Sequence, residues 1–268
     1  MLKFHFVFDE YETYGSYYDV FEAIECEILA KIDNVLTLYG GLSDDETRVL
    51  IKLARSDRKW LNPYKILPQH TASNVYAKLL TRGILKIEKS RERPRIKLYK
   101  NEKFKKAQRR YKIEDKVYFA SNFSRFYFRF IAPNAEILSS GNIKSVKNII
   151  INEFLEYASY GFEMVCAWYL RQEFNLSSEA LSYWDKEVEI DMLFSVNGMM
   201  VAAEAKYKNK KVCKNVLNIL LNKCQRLNIV PDFVYLFSKS GFSNELESMK
   251  NARLKLIDLE KISSILKE

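Results

Sequence analysis

Two apolar runs separated by Asn197 and Gly198 organise the chain, in the stretch 187–208 that reads EVEIDMLFSVNGMMVAAEAKYK. An Asn-Gly pair between such runs predicts a β-hairpin with a two-residue turn. Residues 199–203 are apolar at every position, the pattern of a central strand covered on both faces. Residues two apart on a strand share a face, so Glu204 and Lys206 point together while Ala205 points the opposite way. Pairing around the turn brings Asp191 level with Glu204, or one residue out of step. Two carboxylates and an ammonium then converge on one edge of an apolar hairpin, an arrangement for holding a divalent metal beside a phosphate. Charged residues on strands more often form solvated surface pairs of little worth. A charged triad at the end of a doubly covered strand is harder to explain that way.

Upstream the period is helical. Residues 1–16 are aromatic and acidic and suggest no more than a short strand or packing arm. Residues 17–38 carry Val20, Ile24, Ile28, Ile32 and Val35 at three- and four-residue spacing, ended by Gly40 and Gly41. Ser43 and Glu46 form a capping box for a helix over 44–55. Asn62 and Pro63 start a short helix to about residue 67. Thr71 or Ser73 caps a third helix, stopped by Gly83. Residues 84–88 and 95–99 then alternate around a basic turn at 89–94. Three helices and a hairpin are the order of a winged helix-turn-helix, whose third helix faces the major groove. Its readers would be Thr71, Ser73, Asn74 and Lys78, with Val75, Leu79 and Leu80 inward. Lys89, Arg91, Arg93 and Arg95 would meet DNA phosphates, giving affinity with little sequence choice. Such modules also dock proteins, and a basic hairpin is often simply solvated.

Residues 101–116 form a basic connector. In 118–130, Phe119, Phe123, Phe126 and Phe130 fall on one helical face, expected in packing rather than in base stacking, with Arg125 and Arg129 opposite. A long helical pattern covers 145–174, with a break admitted near Gly161. Tyr183 and Trp184 suggest a strand. Residues 212–227 form an amphipathic helix with Val216, Ile219, Leu220 and Leu227 inward, followed by a strand at 233–237, a short helix at 244–252 and a strand at 255–259. The fold class is α/β and multi-domain, with parallel crossovers in a covered sheet. The predicted segments are a helical one at 1–42, the winged helix at 43–100, a basic and aromatic connector at 101–144, and the sheet domain at 145–268.

Charge sharpens this division. The net charge of +9 is uneven: residues 1–42 hold two Lys+Arg against eight Asp+Glu, residues 43–116 hold 22 against nine, and residues 117–268 hold 19 against 17. The middle segment thus carries a net +13, the footprint of a polyanion-binding module. With 48% hydrophobic residues, 17 Phe and 17 Tyr, most of the 268 residues belong to packed cores. No apolar run approaches the roughly 20 residues that span a bilayer, and acidic residues come too early for a signal peptide. Cys26, Cys166, Cys213 and Cys224 show no CxxC spacing, which suits a reduced cytoplasm rather than disulfides or zinc. His5 and His70 are the only histidines, which leaves little room for histidine-based chemistry. No GxxxxGK(S/T) occurs, so there is no P-loop for ATP.

Asp191, twelve residues, then Glu204-Ala205-Lys206, preceded by a helical Glu163, resembles the PD-(D/E)XK nuclease superfamily. A narrower likeness runs over residues 43–240. The order of winged helix, Tyr111-Lys112-Ile113-Glu114-Asp115, the aromatic Phe-x-Arg-Phe stretch, Gly161-Phe162-Glu163 and Glu189-Ile190-Asp191 is similar to the domain of unknown function at the C-terminus of archaeal-type DEXX-box ATPases. There the later motif tends to read G-E-C-K-W; here it is Ala203-Glu204-Ala205-Lys206-Tyr207, and the ATPase module is replaced by a short acidic segment. The resemblance implies a restriction-endonuclease-like αβββαβ domain and a metal-dependent phosphodiester cleavage site. Asp191, Glu204 and the Ala205 carbonyl would bind Mg²⁺ or Mn²⁺, and Glu163 would reach the ion directly or through water. Lys206 would orient the attacking water. Glu189 is a further candidate ligand, and Tyr207, Lys208, Lys210, Lys211 and Lys214 would extend the phosphate surface.

These expectations favour a DNA-binding, metal-dependent endonuclease. The competing expectations are a nuclease fold retained for DNA binding without cleavage, and a subunit docking on a separate ATPase. DNA is the expected partner, no membrane is expected, and a homo-oligomer is compatible with the sequence.

Overall fold

The computed structural model describes residues 2–265 other than 95, 97, 98, 104, 105, 107–109, 178–180 and 250. Its contacts divide into two units, Met1–Lys89 with Glu114–Ala158, and Ser90–Ile113 with Ser159–Glu268.

The first unit opens with a helix, α1 (Leu2–Phe8), where the sequence suggested a strand or arm. The single helix expected over 17–38 is interrupted. Asp19 caps α2 (Val20–Ala23), which runs into a π-turn over Ile24–Leu29 before α3 (Ile32–Thr37). The buried Glu27 in that π-turn accepts from the Tyr14 and Gly15 amides, the Tyr17 hydroxyl and the Lys31 ammonium, tying the aromatic loop to the helix. The Ser43–Glu46 capping box opens α4 (Asp44–Ala54) as expected. Asn62–Lys65 is a short 3₁₀ turn, and α5 (Gln69–Thr81) follows. Pro68 precedes α5, so Thr71 and Ser73 lie inside the helix rather than capping it. Its buried side is Ala72, Val75, Tyr76 and Leu79, with Leu80 only half-buried.

The strand expected at 84–88 forms as β1 (Leu85–Glu88), but its partner is β2 (Lys116–Phe119), antiparallel with Leu85 opposite Phe119. Of the run expected to pair with it, at 95–99, Arg95, Lys97 and Leu98 lie outside the described residues. The Val117 N–H also donates to the Arg58 carbonyl at 2.8 Å, so β2 sits between two distant segments. Alternation within a single run cannot reveal such pairing. Phe119 therefore belongs to a strand, not to a helical face. Ser121 caps α6 (Asn122–Phe126), which continues into a π-turn over Tyr127–Ile131. Phe123, Phe126 and Phe130 are buried, as packing residues should be. Arg125 and Arg129, expected opposite them, are also drawn in. Arg125 is 9% exposed, stands 4.2 Å from the Tyr157 ring centre and donates to the Tyr157 carbonyl at 2.8 Å. Arg129 pairs with Glu153 at 2.8 Å. After α7 (Ala135–Ser139) comes α8 (Ile143–Phe174), unbroken at Gly161.

In the second unit β3 (Tyr183–Trp184) pairs with β4 (Glu189–Ile190). A four-stranded sheet follows, in the order β5 (Met192–Val196), β6 (Met199–Lys206), β7 (Phe233–Ser238), β8 (Leu254–Ile257). The first pair is antiparallel and the other two are parallel. The helix α9 (Lys214–Arg226) connects β6 to β7, and α10 (Asn244–Glu247) and α11 (Leu259–Ile265) flank β8. Leu217, Leu220 and Cys224 of α9 join one sheet face through Leu193, Ala202, Val234 and Leu236. Rings of α8 cover the other: Phe162 on Tyr207 at 5.2 Å and Tyr169 on Phe237 at 5.5 Å. Cover on both faces is why residues 199–203 are continuously apolar. On α9 the buried stripe is rotated from the expected one, with Leu217 inside and Ile219 45% exposed. The whole is a mixed α/β protein, and no described helix is long and apolar enough to cross a membrane.

Candidate metal and phosphate site at the end of strand β6

The β5–β6 turn has the geometry its sequence demands. Asn197 and Gly198 adopt φ values of 51° and 78°, and Val196 faces Met199 across the turn. A two-residue turn with both φ values positive matches the right-handed twist of the paired strands. Register then follows without a bulge as far as Met192 opposite Ala203. The ladder ends there, and Asp191 stands at the bend between β4 and β5.

Glu204 is 6% exposed at the end of a strand whose preceding residues are apolar. Lys206, two residues on and on the same face, donates from Nζ to Glu204 Oε1 at 2.6 Å. Lys223 of α9 reaches the same carboxylate, at 3.2 Å from Oε1 and 3.0 Å from Oε2. Asp191 Oδ2 accepts the Ala205 N–H at 2.8 Å. The N–H and C=O of one residue leave an extended strand on the same edge, so the Ala205 carbonyl leaves toward the Asp191 side.

Electrostatics follow from this crowding. Burial pushes Asp191 up to about 6, and the Glu204 charge adds to the rise, while Lys206, the Ala205 N–H and Lys223 oppose it. For Lys206 burial works against the charged form, yet the charges of Asp191 and Glu204, and after them Glu163, outweigh it and hold its pKa above the ordinary value. Glu163 stands half-buried on α8, and its charge also acts on the buried Cys166 thiol. That thiol is raised chiefly by burial, then by Asp191 and Glu163.

The structure thus brings Asp191, Glu204, Ala205 and Lys206 together, and Glu163 within electrostatic reach. Among the described residues no three or more His, Cys, Asp or Glu side chains form a group that could hold a metal ion, so Glu163 does not complete a ligand triad with Asp191 and Glu204. Two carboxylates and a backbone carbonyl are hard oxygen donors, the set that suits Mg²⁺ or Mn²⁺ retaining several waters.

Among the other expected site residues, Glu189 is exposed on β4. Tyr207 is buried against Phe162 instead of facing a phosphate, and Lys214 pairs with Glu245 at 2.9 Å. Lys208, Lys210 and Lys211 are exposed beyond β6. On α5, Ser73, Asn74 and Lys78 are exposed and Thr71 is half-buried. Lys89 pairs with Asp115 at 2.7 Å, with its side chain 77% exposed, and Arg93 is exposed. Arg91 departs from the phosphate role expected of it. Its guanidinium donates to the carbonyls of Leu181, Ser182 and Leu193 at 3.2, 3.3 and 2.5 Å, holding down the outer edge of β5. Lys223 was missed by sequence reasoning, although a signal existed: it continues the spacing Val216, Leu220, Lys223, Leu227 along the apolar stripe of α9.

Residues 127–216 match a protein family, DUF234, described as archaeal and bacterial proteins of unknown function. The match is compatible with the likeness to the C-terminal domain of ATPases. The comparison with curated proteins finds no match, and neither does the comparison with solved structures.

Proposed function

We propose that this chain binds DNA and hydrolyses phosphodiester bonds with Mg²⁺ or Mn²⁺, through a PD-(D/E)XK nuclease-like domain in its second unit and a winged helix-turn-helix in its first. One observation carries the reading: at the end of a doubly covered strand Asp191 Oδ2 accepts the Ala205 N–H at 2.8 Å, and the Lys206 ammonium lies 2.6 Å from Glu204. Asp191, Glu204 and the Ala205 carbonyl would hold the ion, and when bound it lowers the pKa of a water and polarises the scissile phosphate. Lys206, held charged by its acidic neighbours, orients that water and meets the charge developing on the phosphate oxygens. The exposed Lys208, Lys210 and Lys211 beyond β6 supply a phosphate-binding rim. The order α4, 3₁₀ turn, α5, β1, with Ser73, Asn74 and Lys78 exposed on α5, supports the DNA-docking half.

A second reading has its own support. Glu204 is already paired with two lysines, and no three-ligand group forms among the described residues. On that reading the fold docks on DNA, or on a separate ATPase, without cutting. Incubation of the protein with supercoiled plasmid and Mn²⁺ or Mg²⁺ separates the two. Cleavage requires that the wild type nick the plasmid and that Lys206→Ala lose at least about 100-fold in rate, the scale of removing a charge-stabilising group. A wild type that binds DNA with a steep salt dependence and nicks nothing with either metal supports the second reading.

A further inference from the structure

Lys206 and Lys223 both pair with Glu204, but not in the same way. Lys206 meets one oxygen, Oε1 at 2.6 Å, whereas the Lys223 ammonium spans both, at 3.2 and 3.0 Å. A cation in contact with both oxygens of a carboxylate occupies the place of a bidentately bound metal ion. Lys223 comes from another element, in the last turn of α9, where the negative end of the helix dipole favours a positive charge. Its side chain is 24% exposed. An ammonium and a divalent ion on one carboxylate repel each other and compete for the same oxygens.

We propose that Lys223 is a tethered counter-cation that holds Glu204 in place and competes with the divalent ion for it, setting the metal affinity of the site. It is a positioning residue, acting through Glu204, and the inference rests on the metal-dependent reading above. Three expectations separate this role from plain structural support. Removing the charge tightens metal binding, keeping the charge does not, and the change is read in binding rather than in turnover.

The test is calorimetric titration of the full chain with Mn²⁺ alone, for the wild type, Lys223→Met and Lys223→Arg. Lys223→Met is expected to bind Mn²⁺ about tenfold tighter, the effect of removing one nearby positive charge from a partly screened site. Lys223→Arg keeps the charge and is expected to stay within about threefold of the wild type. Lys223→Gln takes the place of the Met variant if the latter does not fold, with the same tightening expected. Wild-type binding with unchanged or weaker affinity in the neutral variants overturns the inference and leaves the nuclease reading standing. Equal tightening by Arg and Met overturns it too, because shape and not charge would then be responsible. No Mn²⁺ binding by any of the proteins overturns the metal-dependent reading and this inference with it.

Discussion

The Ala205 amide donates to Asp191 Oδ2 across 2.8 Å, so a side chain bonds the β6 backbone just beyond the last β5–β6 pair, Met192 with Ala203. That bond anchors Asp191 at the bend before β5 and keeps it beside Glu204 without help from an ion. One oxygen of the carboxylate is committed to the backbone. The other is the one a cation would take.

The first prediction concerns the pH dependence of the metal-free protein. Asp191 is pushed up to about 6 from its ordinary 3.8, chiefly by burial and then by Glu204. The native state therefore binds that proton more tightly than the unfolded chain does. The stabilisation is present below about pH 4 and is lost as pH rises through about 6. Asp191→Asn keeps an acceptor for the Ala205 N–H and cannot ionise. At pH 8 it should exceed the wild type in stability by up to about 2–3 kcal/mol, and at pH 4 the two should converge. Urea unfolding midpoints between pH 4 and 8 measure this. A wild type whose stability climbs across that window relative to the variant would contradict the buried placement of Asp191.

Glu204→Gln should act in the opposite sense. It leaves the Lys206 and Lys223 ammoniums, each about a quarter exposed, crowded together with no carboxylate between them. The expected loss is about 2–3 kcal/mol, below the range for a fully buried pair because both lysines keep some solvent. Adding Lys223→Met to Glu204→Gln should recover part of it. Calorimetric melting of the two variants in chelator reads the difference, and equal melting temperatures would mean that the lysines are not coupled through Glu204.

The proposed DNA binding and the edge-holding by Arg91 can be separated by salt. Arg93→Ala should weaken DNA binding across sequences and lower the slope of log affinity against log salt by about one, the signature of a lost phosphate contact. Asn74→Ala should cost about 1–3 kcal/mol at favoured sites and little elsewhere, if α5 reads bases. Arg91→Ala should leave the salt slope unchanged and lower thermal stability, because its guanidinium serves three backbone carbonyls. Fluorescence anisotropy over a salt series distinguishes all three.

Gly198 stands at φ 78°, a region where a Cβ is disfavoured even though nothing crowds it. Gly198→Ala should therefore cost about 1 kcal/mol through backbone conformation alone. Because the turn sets the β5–β6 register, Gly198→Val should also weaken Mn²⁺ binding while leaving DNA affinity intact. Titration of both ligands against one preparation checks this, and equal losses of the two would point to general unfolding.

Local patterns were enough to find the hairpin. Asn197-Gly198 dictates a tight turn, the turn dictates register, and a two-residue period puts Glu204 and Lys206 on one face. Those relations span at most a dozen or so residues, and each step is steric. The same holds for the Ser43–Glu46 cap, whose partners are neighbours in the chain. Periodicity over-reached where a buried group broke it. Glu27 draws four donors around itself, and the helix expected through 17–38 becomes a π-turn between two shorter pieces.

Contacts between distant segments were beyond the reach of such patterns. An alternating run advertises a strand but not its partner, so β1 could be found while β2 could not. An arginine in a basic turn reads as a phosphate ligand until packing shows Arg91 on the carbonyls of Leu181, Ser182 and Leu193. A lysine on an amphipathic helix reads as solvated until α9 settles on the sheet and delivers Lys223 to Glu204. Amino-acid order specifies which side chains share a face, because that depends only on backbone repeat. Which faces meet depends on how whole elements pack, and there the charge balance of this site is set.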